Sequence, residues 1–186
     1  MVAARSASIA LVSILLFFLA TLVFAYYTWR YAIVNPRRQG PYRFVAFEGI
    51  TAIVLLNYRQ WFVDVLSPLQ LVSFTVLAIS IYLALASFIL LKRHGAPNGH
   101  FEYTTELVTT NLYRFIRHPM YASLLFFAIG AWLKQPLYWP AAVIFAIVVV
   151  ALVLTARAEE RDMAEAFGQR YADYLKTTKR FVPFLF

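Results

Sequence analysis

Two runs without a charged side chain, residues 6–29 and 65–91, constrain this chain more than anything else in it. At about 1.5 Å of rise per residue, 24 and 27 helical residues exceed the roughly 30 Å hydrocarbon thickness of a bilayer. Backbone N–H and C=O groups in hydrocarbon must be satisfied within their own segment, so such runs fold as helices. With 62% hydrophobic and 14% charged residues in 186, the chain reads as one polytopic all-α membrane domain, not a soluble one. A net charge of +8 would suggest nucleic acid as the partner of a soluble protein; here it reads as loop charge facing anionic lipid, and no nucleic acid is expected. The absence of cysteine excludes disulfide frameworks, thiolate metal sites and a cysteine nucleophile.

Five membrane-spanning helices are expected. The first, residues 6–29, is too long for a signal-peptide core and is read as a retained helix, with Tyr26, Tyr27, Trp29 and Tyr31 as an interfacial belt. Arg37, Arg38 and Arg43 follow around Pro36, Gly40 and Pro41, a short basic turn. Residues 44–58 are apolar apart from Glu48 and marginal alone; with flanks from 42 to 62 they are expected to cross, Glu48 being read as structural. The third span is 65–91, starting near Pro68. Residues 92–117 are polar, with turns at Gly95, Pro97 and Asn98-Gly99, and His94 and His100 read as exposed loop residues. Residues 118–133 and 137–156 form a hairpin of two further spans, where Gly130 and the alanines at 122, 128 and 131 allow close helix packing. From Arg157 a charged helix is expected to continue into the cytoplasm, with Met163, Phe167, Tyr171 and Tyr174 as one stripe and Gly168 inside it for packing. The tail from Phe181 reads as extended and able to dock back. Residues 1–91 thus hold three spans, and 92–186 hold two spans and the C-terminal helix.

Charge placement orients the bundle. Of 17 Lys and Arg, only Arg5, Arg59 and Lys134 fall on the side of the N-terminus; the other 14 lie on or beside the opposite face. That places the N-terminus outside and the C-terminus in the cytoplasm, in the cell membrane of a bacterium or archaeon.

Chemistry concentrates where the polar loop meets the fourth span. Arg117-His118-Pro119-Met120-Tyr121 and the approach from Glu106 to Tyr113 bring cations, an imidazole and two phenols to a membrane surface. Pro119 suits the first turn of a helix, whose free N–H groups seat a carboxylate or phosphate. From the residues alone, His118 and Tyr121 read evenly as interfacial anchors or as ligand contacts, and Glu159 and Glu160 as a solvated pair.

The run LVTTNLYRFIRHPMY, with the later Glu159-Glu160 pair and FGQRYADYLKTTKRFVP, resembles the integral-membrane methyltransferases of the isoprenylcysteine carboxyl methyltransferase and phospholipid methyltransferase group. The resemblance covers about residues 105–183 and implies S-adenosylmethionine as methyl donor. It implies cofactor contacts from Glu106, Leu107, Val108, Tyr113, His118, Pro119, Met120, Tyr121 and Glu159, and catalytic roles for Arg117, His118 and Glu159. Glu160 lies about 100° further round the helix, so only one of the two carboxylates is expected to face the pocket.

One departure bears on the acceptor. Carboxyl-methylating members place an arginine one turn before the glutamate, where this chain has Thr155, although Arg114, Arg117 or Arg157 stand near enough to substitute. The expected activity is methyl transfer to a lipophilic membrane acceptor, a phospholipid amine first. An isoprenylcysteine-like carboxylate or a small thiol is the second choice, and a non-catalytic scaffold or carrier is the alternative of another class. A nicotinamide-dependent lipid reductase is disfavoured, because no distinctive cofactor motif supports it.

Overall fold

The computed structural model describes residues 2–34, 39–95 and 105–183. Its elements are six α-helices: α1 (Val2–Val34), α2 (Gly40–Leu56), α3 (Pro68–His94), α4 (Pro119–Trp132), α5 (Trp139–Phe167) and α6 (Gln169–Thr177). The described residues contain no strand, only an isolated parallel bridge between Ile116 and Lys179. The turn residues at Pro36, Arg37, Arg38 and Pro97 to Gly99, together with His100, lie outside the described residues. His94 ends α3 and is exposed.

Helix starts follow local chemistry. Prolines open α2, α3, α4 and α5 at the first or second position, where a missing N–H costs nothing. Ser67 caps α3 by accepting from the Gln70 N–H at 3.4 Å. α3 packs along α4, α2 along α5, and α1 lies against α2.

Small residues set the spacing. A Cβ on Gly130 would sit 2.6 Å from Leu77 Cγ, and one on Gly49 would sit 2.4 Å from Val148 Cγ2. Ala122, Ala128 and Ala131 are fully buried, as the small-residue pattern predicts. Hydroxyls join the same seam: Ser73 donates to the Gly130 carbonyl and Ser80 to that of Ser123, each at 2.8 Å. Glu48 accepts from the Thr21 hydroxyl of α1 at 2.9 Å, a contact between helices.

The helices differ in reach, and the expected count of five spans is met by three that are long and apolar enough to cross. The Leu11–Trp29 stretch of α1, α3 and α5 are long and apolar enough to cross a membrane; α4, with 14 residues, is a shorter apolar helix of about 21 Å. α2 has 17 residues, about 26 Å, and stops at Leu56, earlier than the expected crossing to residue 62. The cause is Asn57, fully buried, whose side-chain amide donates to the Ala131 carbonyl at 2.9 Å and ties the chain to α4. The 3-10 turn Tyr58–Gln60 follows.

The expected single C-terminal helix is two. Gly168 adopts φ 55° and ψ −128°, ending α5 and opening α6. A Cβ there would meet nothing within 4 Å, so the position needs glycine for its backbone conformation and not for packing.

Candidate active site

The polar end of the bundle is built by four segments. The 3-10 turn Asn111–Arg114 carries Tyr113, the start of α4 carries His118 to Tyr121, the extension of α5 carries Glu159 and Met163, and α6 carries Tyr171 and Tyr174. A fifth stretch, residues 178–181, runs back beside them as a strap. Its pairing is regular: the Arg117 N–H donates to the Lys179 carbonyl at 2.7 Å, the His118 N–H to the Arg180 carbonyl at 3.1 Å, and the Lys179 N–H to the Phe115 carbonyl at 3.1 Å. Phe181 is buried beside the His118 ring, with centroids 6.3 Å apart. The expected docking of the tail is seen as far as Phe181, and residues 184–186 lie outside the described residues.

Side chains converge on one cleft. Leu107, Val108 and Tyr113 line one wall, Arg117 to Tyr121 another, and Glu159, Met163, Tyr171 and Tyr174 the third, with Gln39 and Leu91 at the edges. All the expected site residues meet there except Glu106. That residue is exposed and its N–H is spent on the Gly95 carbonyl at 3.3 Å, so it lies outside the lining.

His118 sits between two carboxylates. Nδ1 is 3.9 Å from Glu159 Oε2 and Nε2 is 3.4 Å from Glu160 Oε1, while the ring stacks on Tyr121 at 5.5 Å. Nε2 is buried without a hydrogen-bond partner, so the contact with Glu160 is close but not aligned.

The two glutamates have separate roles. Glu159 lines the cleft, and Glu160 does not. Nor is Glu160 a solvated surface charge: it accepts from Arg117 Nε at 3.1 Å and from Arg180 Nε and Nη2 at 3.1 and 2.7 Å. Arg117 is correspondingly committed, its Nη1 donating to the Thr178 carbonyl as well. Its guanidinium therefore fastens α5 and the strap to the mouth of α4.

The tyrosines are held neutral. Burial, reinforced by Glu159 and Tyr174, pushes Tyr113 far above the usual phenol range; burial does the same for Tyr174, and burial with Glu160 and Glu159 for Tyr171. They remain hydroxyl donors, and Tyr174 donates to the Tyr113 carbonyl at 2.5 Å. Tyr171 and Tyr174 were singled out in the sequence only as part of a helical stripe; they and Met163 from that stripe line the cleft, while Phe167 does not. Arg180 was visible in the sequence only within the run FGQRYADYLKTTKRFVP, with nothing there to mark it as the partner of Glu160.

Fold and cleft together define a polytopic helical membrane protein with a titratable pocket at one end of its bundle. A family profile described as phospholipid methyltransferase matches residues 69–170, more than half of the 186, and the chain belongs to that family. The match reaches back through α3, further than the motif-bearing segment from residue 105. Searches of curated proteins and of solved structures found no match. The chain is thus a membrane methyltransferase by family.

Proposed function

We propose that this protein transfers a methyl group from S-adenosylmethionine to the amine headgroup of a phospholipid-like acceptor at the cytoplasmic face of the membrane. The residues present fit such a donor. Met120 and Tyr121 line the cleft in the first turn of α4, where backbone N–H groups have no intrahelical acceptor and suit a carboxylate. Glu159 offers an acceptor for an ammonium or ribose hydroxyls, and Leu107, Val108 and Met163 supply apolar walls. S-adenosylmethionine supplies an already activated methyl group, so the chain's task is to align, desolvate and accept a proton. An amine acceptor must shed a proton before its lone pair attacks; His118 and Glu159 are the cleft groups able to take it.

One observation carries the choice of an amine over a carboxylate. Among the described residues lining the cleft, Arg117 is the only lysine or arginine, and its guanidinium is engaged by Glu160 and Thr178. Arg114 and Arg157 are exposed and outside the lining. Thr155, one turn from Glu159, returns its hydroxyl to the Ala151 carbonyl at 2.8 Å. Among the described residues of the lining, a buried acceptor carboxylate would therefore meet no cation that is not already engaged, and an unpaired buried charge costs several kcal/mol. An apolar groove of about 430 Å³ between α2 and α5, bounded by Tyr42 and Leu154 towards this end, supports lateral entry of an acyl chain.

The test supplies the purified protein with methyl-labelled donor and, separately, phosphatidylethanolamine and a farnesylated cysteine analogue. Label on the amine lipid is expected. Label appearing only as a base-labile ester on the farnesylated compound overturns the amine assignment.

A further inference from the structure

The end of the bundle away from the cleft has its polarity turned inside out. In the turns 57–67 and 133–138 a water-facing protein would show its polar side chains and hide its apolar ones. Here Leu137, Leu66 and Phe62 are 96, 82 and 79% exposed, and Trp139 beside them is 73% exposed. Three polar side chains point inward. Asn57, Gln70 and Lys134 are 0, 5 and 4% exposed.

Each reaches a partner inside the bundle. Lys134 Nζ donates to Gln70 Oε1 at 2.8 Å, lies 3.3 Å from the centroid of the Phe74 ring, and stands 5.2 Å from that of Trp61. Gln70 in turn donates to the Gln60 carbonyl at 3.0 Å, and Asn57 to that of Ala131 at 2.9 Å. Aromatic faces solvate an ammonium ion in a place where water is scarce. A lysine stem is long enough to reach water from a loop, as surface lysines ordinarily do. This one folds back into the protein.

Helix length agrees with this. Lys134 stands 16 residues beyond His118, about 24 Å of helical rise, which is less than the roughly 30 Å of hydrocarbon above the cleft. Arg59 and Asp64 are the exposed charges of the 57–67 turn. Arg59 donates to the Tyr58 hydroxyl at 2.7 Å with its guanidinium 5.7 Å from that ring, a pairing suited to the headgroup boundary.

We infer that these two turns are seated in the lipid of the far leaflet, with Phe62, Leu66, Leu137 and Trp139 among acyl chains and Arg59 and Asp64 at the headgroups. The occupant of this surface is lipid, not water and not a second copy of the chain. The inference rests on the membrane fold and is independent of the acceptor.

The absence of cysteine makes the test direct. Single cysteines replacing Phe62, Leu66 and Leu137, with Glu165→Cys on the exposed polar extension of α5 as the water reference, are spin-labelled and reconstituted into phosphatidylcholine vesicles. Collision with oxygen, which partitions into acyl chains, is compared with collision with a water-soluble nickel chelate. The three turn labels are expected to favour oxygen and the reference to favour nickel. Nickel accessibility matching the reference would put the turns in water and overturn the inference; shielding from both reagents would indicate a covering copy and overturn it equally. A label-free arm guards against perturbation by the substitutions. Lipids brominated along their acyl chains are expected to quench the native protein's fluorescence, with the quenched share reduced in Trp139→Phe; an unchanged share counts against acyl contact.

Discussion

Glu159→Ala and Glu160→Ala alter adjacent residues and should fail in different ways. Glu160 accepts three charge-assisted hydrogen bonds, one from Arg117 and two from Arg180, and its side chain is 13% exposed. Such bonds contribute about 1.5–3 kcal/mol each in favourable settings. The three share one carboxylate and the freed guanidinium groups regain some water, so a net loss of about 2–4 kcal/mol is the expected scale. That loss falls on the joint between α5, the start of α4 and the strap. In detergent, Glu160→Ala should lower the thermal midpoint and open the strap to trypsin at Lys179 and Arg180, with weaker S-adenosylhomocysteine binding as a secondary effect. Glu159 lines the cleft, and its contact with His118 Nδ1 is longer, at 3.9 Å. Its alanine variant should keep the wild-type midpoint and trypsin pattern while S-adenosylhomocysteine affinity, read by titration calorimetry, falls about ten- to hundredfold. Wild-type melting and protease protection in Glu160→Ala would refute the assignment of Glu160 as the fastening.

Gly168→Ala places a Cβ in open space but at φ 55° and ψ −128°, so the cost is conformational, about 1–3 kcal/mol, seen as a lower midpoint in thermal circular dichroism; an unchanged midpoint would mean the break is not needed. Gly130→Ala drives a methyl against Leu77 and the Ser73 carbonyl, 3.2 Å away, and should destabilise by about 1–3 kcal/mol. Leu77→Ala in the same chain should recover part of that loss; no recovery would place the strain elsewhere.

Much of the architecture was legible because hydrocarbon leaves the backbone few choices. Uncharged runs become helices, and Pro68 and Pro119 mark the starts of two of them. His118, Tyr121 and Glu159 were legible as a group through the family pattern, and the one-residue arc between Glu159 and Glu160 leaves the first in the cleft lining and the second outside it. What Glu160 faces was not legible. Its partner Arg180 arrives 20 residues later, by way of a turn at Gly168 and a strap whose path depends on tertiary pairing. Gly168 itself shows why: a glycine within a helical stripe fits both tight packing and a left-handed break, and only the docking of α6 distinguishes them. Glu106 misled for a local reason, since its neighbours Leu107 and Val108 turn into the cleft while its own backbone is anchored to Gly95. Lys134 counted as a loop charge by position, whereas its burial depends on Phe74 and Gln70 from another helix.

α5 is a single rod of 29 residues, and this gives a contact in the middle of the membrane control over geometry at its edge. Gly49 meets Val148 eleven residues before Glu159, a distance of about 16 Å along the axis. That contact is a fulcrum. Pivoting the rod by 5° about it would swing the Glu159 backbone by about 1.4 Å, on the scale at which misplacement costs catalysis about a hundredfold. Holding the carboxylate in register therefore falls partly to the smallest side chain of α2, and a methyl group added there would be felt as leverage.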